Sequence, residues 1–385
     1  MLTGDASLIK KMNRALILST IIEQKSISRA EIAKVTGLNK ATISVQVSEL
    51  LDNELIVESQ LEHKSLGRRP IMLSINKKAG FALGIDLDKT TITFTLADLS
   101  GYPVHTNVID LQVSNYEIIL DILSRQIKDY QTQCEQIHHG LIGVVIGIHG
   151  IVDTDEIIYF VPQHGWKNIN LKKDLENEIG IKIYIENNAN LCSFAEKVYK
   201  HHHSNNLLSV SLYSGIGLGF MINGQLLKGF HGYAGEIGHM IIVPNGLPCS
   251  CGSLGCWEQY ASENSFTRKI SHTRRKPDLS FEEIHHALIA KEPSICNEMD
   301  EFILYLSIGL NNLINLYNPE ILVVNSELLR LYPNAAEELK AQLTSTISHY
   351  SELLISEFGK KACIMGACAL CIQKFLEVSE LSLTL

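Results

Sequence analysis

The 385 residues predict an α/β protein preceded by a smaller, mainly helical unit, and three observations carry that expectation. From Phe81 onward, short runs rich in Ile, Val and Leu alternate with amphipathic helical patterns, as strands alternating with helices require. Before Phe81 the apolar residues recur at helical spacing and are punctuated by capping residues. Between residues 239 and 256 a histidine and three cysteines crowd into one short run.

With 45% hydrophobic and 19% charged residues the composition is that of a soluble globular chain, long enough for two or three domains. No apolar run reaches the ~18 residues that span a bilayer. Lys10, Lys11 and Arg14 ahead of residues 15–22 imitate a signal peptide, but no small-residue cleavage site follows and Glu23, Gln24 and Lys25 end the run. The expected compartment is therefore the cytoplasm. Nine cysteines, three of them within eight residues, suit metal binding in a reducing compartment better than a disulfide framework. Cys134, Cys192, Cys296, Cys363, Cys368 and Cys371 stand in apolar or helical surroundings and read as buried thiols. Charge is uneven: residues 1–80 hold 12 Lys and Arg against 8 Asp and Glu, a net of +4, which leaves −13 for the remainder of a chain at −9. The basic end is the natural partner for phosphate.

Leu8, Met12, Leu16, Ile17, Ile21 and Ile22 predict a first helix over about residues 8–23. Ser28 and Glu31 form an S-x-x-E capping box for a second, with Ile32, Ala33 and Val35 facing inward, and Gly37 ends it. Asn39 caps a third helix whose Ile43, Val47, Leu50 and Leu51 form a buried stripe. Ile56 and Val57, then Met72, Leu73 and Ile75, read as two strands flanking a polar loop. Helix, short turn, helix and hairpin make a winged helix-turn-helix, in which the second helix of the pair enters the major groove. Candidate DNA-contacting residues are Ser28, Arg29, Asn39, Lys40, Ala41, Thr42, Ser44 and Gln46, with Ser48 on the same helix. Arg68 and Arg69, between Gly67 and Pro70, suit a narrow minor groove. A helical hairpin with a solvated polar face is the plain alternative. Residues 77–80 form a short junction to the next domain.

Strands are expected at residues 81–86, 91–96, 143–148 and 181–185, the last running into Asn187, Asn188 and a helix; residues 207–222 read as a glycine-rich hairpin, and no internal repeat is visible. In the run from Gly235 to Glu258, G-E-I-G-H is followed by C-S-C-G-S-L-G-C-W-E, so His239, Cys249, Cys251 and Cys256 are candidate ligands of one metal ion. Three thiolates and an imidazole favour zinc in a closed, structural site. Cysteines of a glycine-rich loop without metal are the alternative. His201, His202 and His203 read as an exposed loop.

The order of these motifs resembles the ROK family of repressors, open reading frames and kinases along nearly the whole chain. Within the family it resembles the xylose-operon repressors of low-GC Gram-positive bacteria, which share the winged helix, a G-R-R-P wing and a K-K-A-G junction. The resemblance implies a two-lobed, actin-like sugar-kinase fold behind the DNA-binding unit. Expected bounds are 1–76 for that unit, 81–193 with 362–385 for the first lobe, and 194–361 for the second, with the metal loop at 239–256. It also implies sugar contacts at Asn187, Asn188, Glu236 and His239, with Gly150 of the preceding turn. His239 would serve metal and sugar by giving one ring nitrogen to each.

Where the family's kinases place an aspartate as general base, this chain has Asn188, an amide that cannot take the hydroxyl proton. Asp86, Leu87, Asp88, Lys89 and Thr90 stand in place of D-x-G-G-T, Tyr213 to Gly219 reads Y-S-G-I-G-L-G in place of G-T-G-I-G-G-G, and Asn325 and Ser326 replace paired glycines. His149 replaces the proline of a Pro-Gly turn, as a polar contact or a turn residue. No catalytic residue is therefore expected. The sequence reads as a repressor that binds operator DNA as a homodimer and leaves it when a free sugar, xylose by resemblance, fills its cleft. An active kinase with a DNA-binding arm, or a repressor answering another sugar or a partner protein, are the competing readings.

Overall fold

The computed structural model describes residues 6–60, 70–276 and 279–384. The N-terminal part opens with α1 (Ala6–Gln24), then β1 (Ile27–Ser28), α2 (Arg29–Thr36), α3 (Lys40–Asp52), β2 (Ile56–Gln60) and β3 (Ile71–Ile75). The capping box forms as its sequence dictates: the Ser28 hydroxyl accepts from Glu31 N, and the Glu31 carboxylate accepts from Ser28 N. Asn39 caps α3 through Thr42 N, and Gly37 takes the left-handed conformation that ends α2. The strands form an antiparallel sheet in the order β1-β3-β2. Ile17, Leu18, Ile21, Ile32, Ile43, Val47, Leu50 and Leu73 fill the small core.

Two expectations for these helices need correction. Val35 is 60% exposed, because α2 is a short helix that turns only Ile32 fully into the core. Leu8, Met12 and Leu16 are also exposed: the N-terminal turns of α1 lie outside the core that Ile17, Ile21 and Ile22 reach.

Next come β4 (Phe81–Leu87), β5 (Thr91–Asp98), β6 (Pro103–Asp110), α4 (Tyr116–Gln133), β7 (Leu141–Ile148), β8 (Ile151–Val152), β9 (Ile158–Val161), β10 (Trp166–Ile169), α5 (Leu171–Ile179), β11 (Ile183–Asn187) and α6 (Asn188–Tyr199). They are followed by β12 (Leu207–Ser211), β13 (Gly217–Ile222), β14 (Gln225–Leu226), α7 (Glu258–Ala261), α8 (Glu263–Arg274), α9 (Phe281–Ile289) and α10 (Pro293–Tyr317). The chain ends with β15 (Ile321–Asn325), α11 (Glu327–Leu331), α12 (Ala335–Gln342), β16 (Glu352–Ile355) and α13 (Ala362–Leu376).

The chain divides into two compact units, residues 1–187 with 198–202 and 364–385, and residues 188–197 with 203–363. The first unit carries a five-stranded sheet ordered β11-β7-β4-β5-β6, the second one ordered β14-β13-β12-β15-β16. Each sheet begins with a three-strand antiparallel meander and continues with two parallel strands beyond the meander's first strand. The topology thus repeats although the sequence does not, because ladder hydrogen bonds use backbone groups that every residue except proline supplies. β4, β7 and β11 are covered by apolar residues of α4 and α5, including Leu123, Ile127 and Leu175. In the second unit Trp257, Phe220 and the buried face of α10 form the core. Cys134, Cys192, Cys363, Cys368 and Cys371 are buried as small apolar residues, and Cys296 is half-buried. No described helix is long and apolar enough to cross a membrane.

Candidate functional site

Helix α3, expected to enter the major groove, and its cap Asn39 present Asn39, Lys40, Ala41, Ser44 and Ser48 to solvent, with Thr42 half-buried. Gln46 does not join them. It is 4% exposed, its Oε1 has no hydrogen-bond partner among the described residues, and it lies on the inward face beside Val47. Three and four residues from Ile43 and Leu50, position 46 falls on the packed side of a 3.6-residue helix. Ser28 is buried and its hydroxyl is committed to the cap, while Arg29 pairs with Glu58 at 2.9 Å. Arg68 and Arg69 lie outside the described residues.

The cysteine run folds as a knuckle. Cys249 N donates to Ser253 O at 2.9 Å and Gly252 N to Cys249 O at 3.0 Å, which brings Cys251 back over Cys249. Gly255 has φ +82°, and a Cβ there would lie 1.8 Å from Val243 O, so this close strand-like return admits only glycine. Trp257, fully buried, donates from Nε1 to Tyr305 O and anchors the loop on α10. The turn Ile237–His239 brings the imidazole to the same place. One donor atom from each of His239, Cys249, Cys251 and Cys256 lies within 4.8 Å of all the others.

Two edges of this group are short: His239 Nδ1 to Cys249 Sγ is 3.5 Å and Cys251 Sγ to Cys256 Sγ is 3.6 Å. A tetrahedron with bonds of ~2.0 to 2.3 Å has edges of about 3.5 to 3.8 Å, so the donor set fits a tetrahedral metal. The thiols also perturb one another. Burial and the two neighbouring thiols push Cys256 up to about 12, whereas the Ser253 backbone N–H draws Cys251 down to about 7. Without a cation, burial keeps Cys249 and Cys256 protonated; a metal ion bound among the sulfurs would favour their thiolate forms.

The imidazole faces two ways. Nδ1 is on the thiol side, and Nε2 lies 4.0 Å from Glu236 Oε2. A residue given no role from sequence completes the picture: Glu258 accepts from the Cys249 thiol at 3.1 Å and lies 3.6 Å from His239 Nδ1. Its position at the end of C-W-E, one residue past the buried tryptophan, was the available clue. Glu258 also lines a polar cavity of about 330 Å³ with Ser214, Gln259 and Arg268.

In the first unit, Asn187 ends β11 and its amide donates to Gly150 O at 2.8 Å, so these two expected sugar residues meet. Asn188, Glu236 and His239 belong to the second unit, where Asn188 opens α6. His149, left open from sequence, has a definite partner: its Nε2 lies 2.9 Å from Asp86 Oδ1, and its Nδ1 3.9 Å from Asp88 Oδ1. Burial opposes protonation of His149, but the charge and hydrogen bond of Asp86, and then Asp88, outweigh it and raise its pKa. Asn325, the last residue of β15, and Ser326, which caps α11, are both 0% exposed; Asn325 donates to Gly359 O and the Ser326 hydroxyl to Glu263 at 2.7 Å. Gly219 packs so tightly on α6 that a Cβ would meet Ala189 O at 2.3 Å, which is a packing role. His201 and His202 are half-buried, and only His203 of that run is exposed.

A winged helix-turn-helix joined to a pair of five-stranded α/β units with a cysteine-histidine knuckle defines the class, and the family models agree. Residues 82–374 match the ROK family and residues 14–57 a winged helix-turn-helix DNA-binding model. The chain belongs to the ROK family. It is 36% identical over 382 residues to the xylose repressor of Bacillus subtilis, covering 97% of this chain and 98% of that protein. It is 27% identical to the glucokinase of Streptomyces coelicolor, over 75% of this chain and 96% of that one. Among solved structures, a ROK family transcriptional regulator described as a homolog of the E. coli MLC protein superposes with a TM-score of 0.81 at 27% identity, covering 96% of this chain and 97% of that one.

Proposed function

We propose that the protein is a transcriptional repressor that binds operator DNA as a homodimer through residues 1–76 and releases it when a free sugar, xylose, binds. The observation that carries this reading is the match along essentially the full length of both chains to a xylose repressor, DNA-binding unit included. Similarity to a glucokinase covers only 75% of this chain, against 97% for the xylose repressor.

Asn187, Asn188, Glu236 and His239, with Gly150, are the proposed sugar contacts; amide, carboxylate and imidazole together match a set of hydroxyls that both donate and accept. His239, Cys249, Cys251 and Cys256 would hold zinc, which supplies charge neutralisation and a fixed loop geometry. Nδ1 of His239 is on the thiol side, leaving Nε2 for the sugar side next to Glu236, so one residue serves both. Release follows from linkage: a sugar that binds one arrangement more tightly disfavours the DNA-binding arrangement by the same free energy.

The protein is proposed not to be an enzyme. Asn188 offers no base for a hydroxyl proton, and the side chains of Asn325 and Ser326 are packed where the family's kinases have glycines. Phosphotransfer is the second reading, favoured by the glucokinase similarity. A coupled assay with ATP and pentoses and hexoses separates the two: turnover of any sugar rejects the repressor-only reading, and a xylose-sensitive operator gel shift without turnover supports it.

A further inference from the structure

The end of the recognition helix is held by two adjacent histidines that no role so far accounts for. Asn53 caps α3, and its carbonyl accepts from His139 Nε2 at 2.8 Å. His138 Nδ1 lies 3.4 Å from the carboxylate of Glu54, the next residue. The two rings meet edge to face at 4.5 Å, and His139 rests on Phe375 of α13 at 5.2 Å. Arg14 of α1 donates to the carbonyl of Leu376, beside that phenylalanine. The backbone of the same loop holds the junction: His139 N donates to Ala79 O, and Phe81 N to Gly140 O.

The strand after this loop leads toward the proposed sugar contacts. Residue 141 begins β7, which runs without a break to Ile148 and into the turn of His149 and Gly150. Gly150 O is the acceptor of the Asn187 amide. From Val144 to Ile148, β7 lies between β4 and β11 in parallel register, with Val144 opposite Leu83 and Ile183; nearer the loop it pairs with β4 alone, across a bulge between Leu141 and Gly143. A strand of eight residues spans about 26 Å at ~3.3 Å per residue. A strand laddered on both sides moves as part of its sheet, so a shift at the Asn187 turn is carried to Val144, and from there through the β4 pairing and the bonds of Phe81 and Ala79 to residues 139 and 140.

We propose that His139, supported by His138 and Phe375, is the positioning residue that couples sugar binding to the angle of the recognition helix. The inference rests on the repressor reading above, and it adds the route. Sugar drawn against Asn187 displaces the far end of β7; the imidazole, fixed to both the Asn53 carbonyl and Phe375, carries the displacement to α3. His139 touches neither sugar nor DNA in this account, so its loss weakens the coupling and leaves each binding event intact.

The test uses the full-length protein and a duplex selected by the wild type from random sequence. Three quantities are measured for wild type, His139→Gln and His139→Leu: operator Kd, xylose Kd, and operator Kd at saturating xylose. Couplings of this kind amount to roughly 5- to 150-fold, so xylose is expected to weaken wild-type operator binding about tenfold or more. His139→Leu should reduce that ratio below about threefold with both separate Kd values within about threefold of wild type, and His139→Gln, which keeps a donor, should recover part of it. Should His139→Leu melt early, Phe375→Leu serves the same comparison. Equal ratios in wild type and His139→Leu overturn the joint and leave the repressor reading standing. Lost operator affinity in a well-folded variant also overturns it, because His139 would then serve DNA binding itself. A wild-type ratio of one overturns both.

Discussion

His149 Nε2 lies 2.9 Å from Asp86 Oδ1, where the resemblance to sugar kinases implied a proline in a turn and an aspartate in a phosphate loop. Both side chains are mostly buried, and Asp88 lies on the other ring nitrogen's side at 3.9 Å. The aspartate is therefore occupied by a neighbouring side chain, and the pair carries a testable sign. Its raised pKa means that the folded state binds the proton more tightly than the unfolded chain. The stabilisation is fully present below the unfolded value of about 6.5 and is lost as pH rises through the folded value. Asp86→Asn should cost about 1 to 3 kcal/mol in urea unfolding at pH 6 and clearly less at pH 9. An equal cost at both pH values would show that the imidazole is neutral in the pair.

Gln46 should be silent in DNA recognition. Its buried Oε1 lacks a described partner, so Gln46→Met exchanges a poorly satisfied amide for an apolar side chain of similar length and should be neutral or stabilising. Operator affinity should stay within about threefold, whereas Lys40→Ala, from the exposed face, should weaken binding to all duplexes and lower the salt slope by ~1. Salt-titrated anisotropy reads both, and a Gln46→Met variant that loses sequence preference would return that residue to the groove.

Glu258 should matter to the metal without ligating it. Carboxylates that orient ligands are worth ~10- to 100-fold in metal affinity, so Glu258→Gln should lose affinity in that range by chelator competition, and Cys256→Ser should hold almost no zinc. Full zinc affinity in Glu258→Gln would reduce its contact with Cys249 to packing.

Restoring the base should not restore an enzyme. Asn188→Asp supplies a carboxylate, yet Asn325 and Ser326 remain buried and hydrogen-bonded to Gly359 and Glu263. Sugar-dependent ATP consumption should stay at background in a coupled assay. Turnover above background in Asn188→Asp would mean that one lost proton acceptor was the whole difference from a kinase.

Local chemistry made much of this legible. The Ser28 and Asn39 caps and the helices they open depend on residues a few positions apart, and the His239, Cys249, Cys251 and Cys256 cluster on one short run, so spacing indicated them. What escaped depended on distance along the chain. Gln46 and Val35 were misplaced because polarity at one position does not report which face a short helix buries. The pairing of His149 with Asp86 joins residues 63 positions apart, and that of His139 with Asn53 joins residues 86 apart; no period or motif encodes either. The twofold recurrence of sheet topology was invisible for the same reason.

Operator affinity with and without sugar tests the central claim most directly. Measured by anisotropy on a selected duplex, the Kd of the wild type should rise about tenfold or more at saturating xylose, with no ATP required. An unchanged Kd at saturating xylose, with binding of the sugar confirmed by calorimetry, would contradict the account.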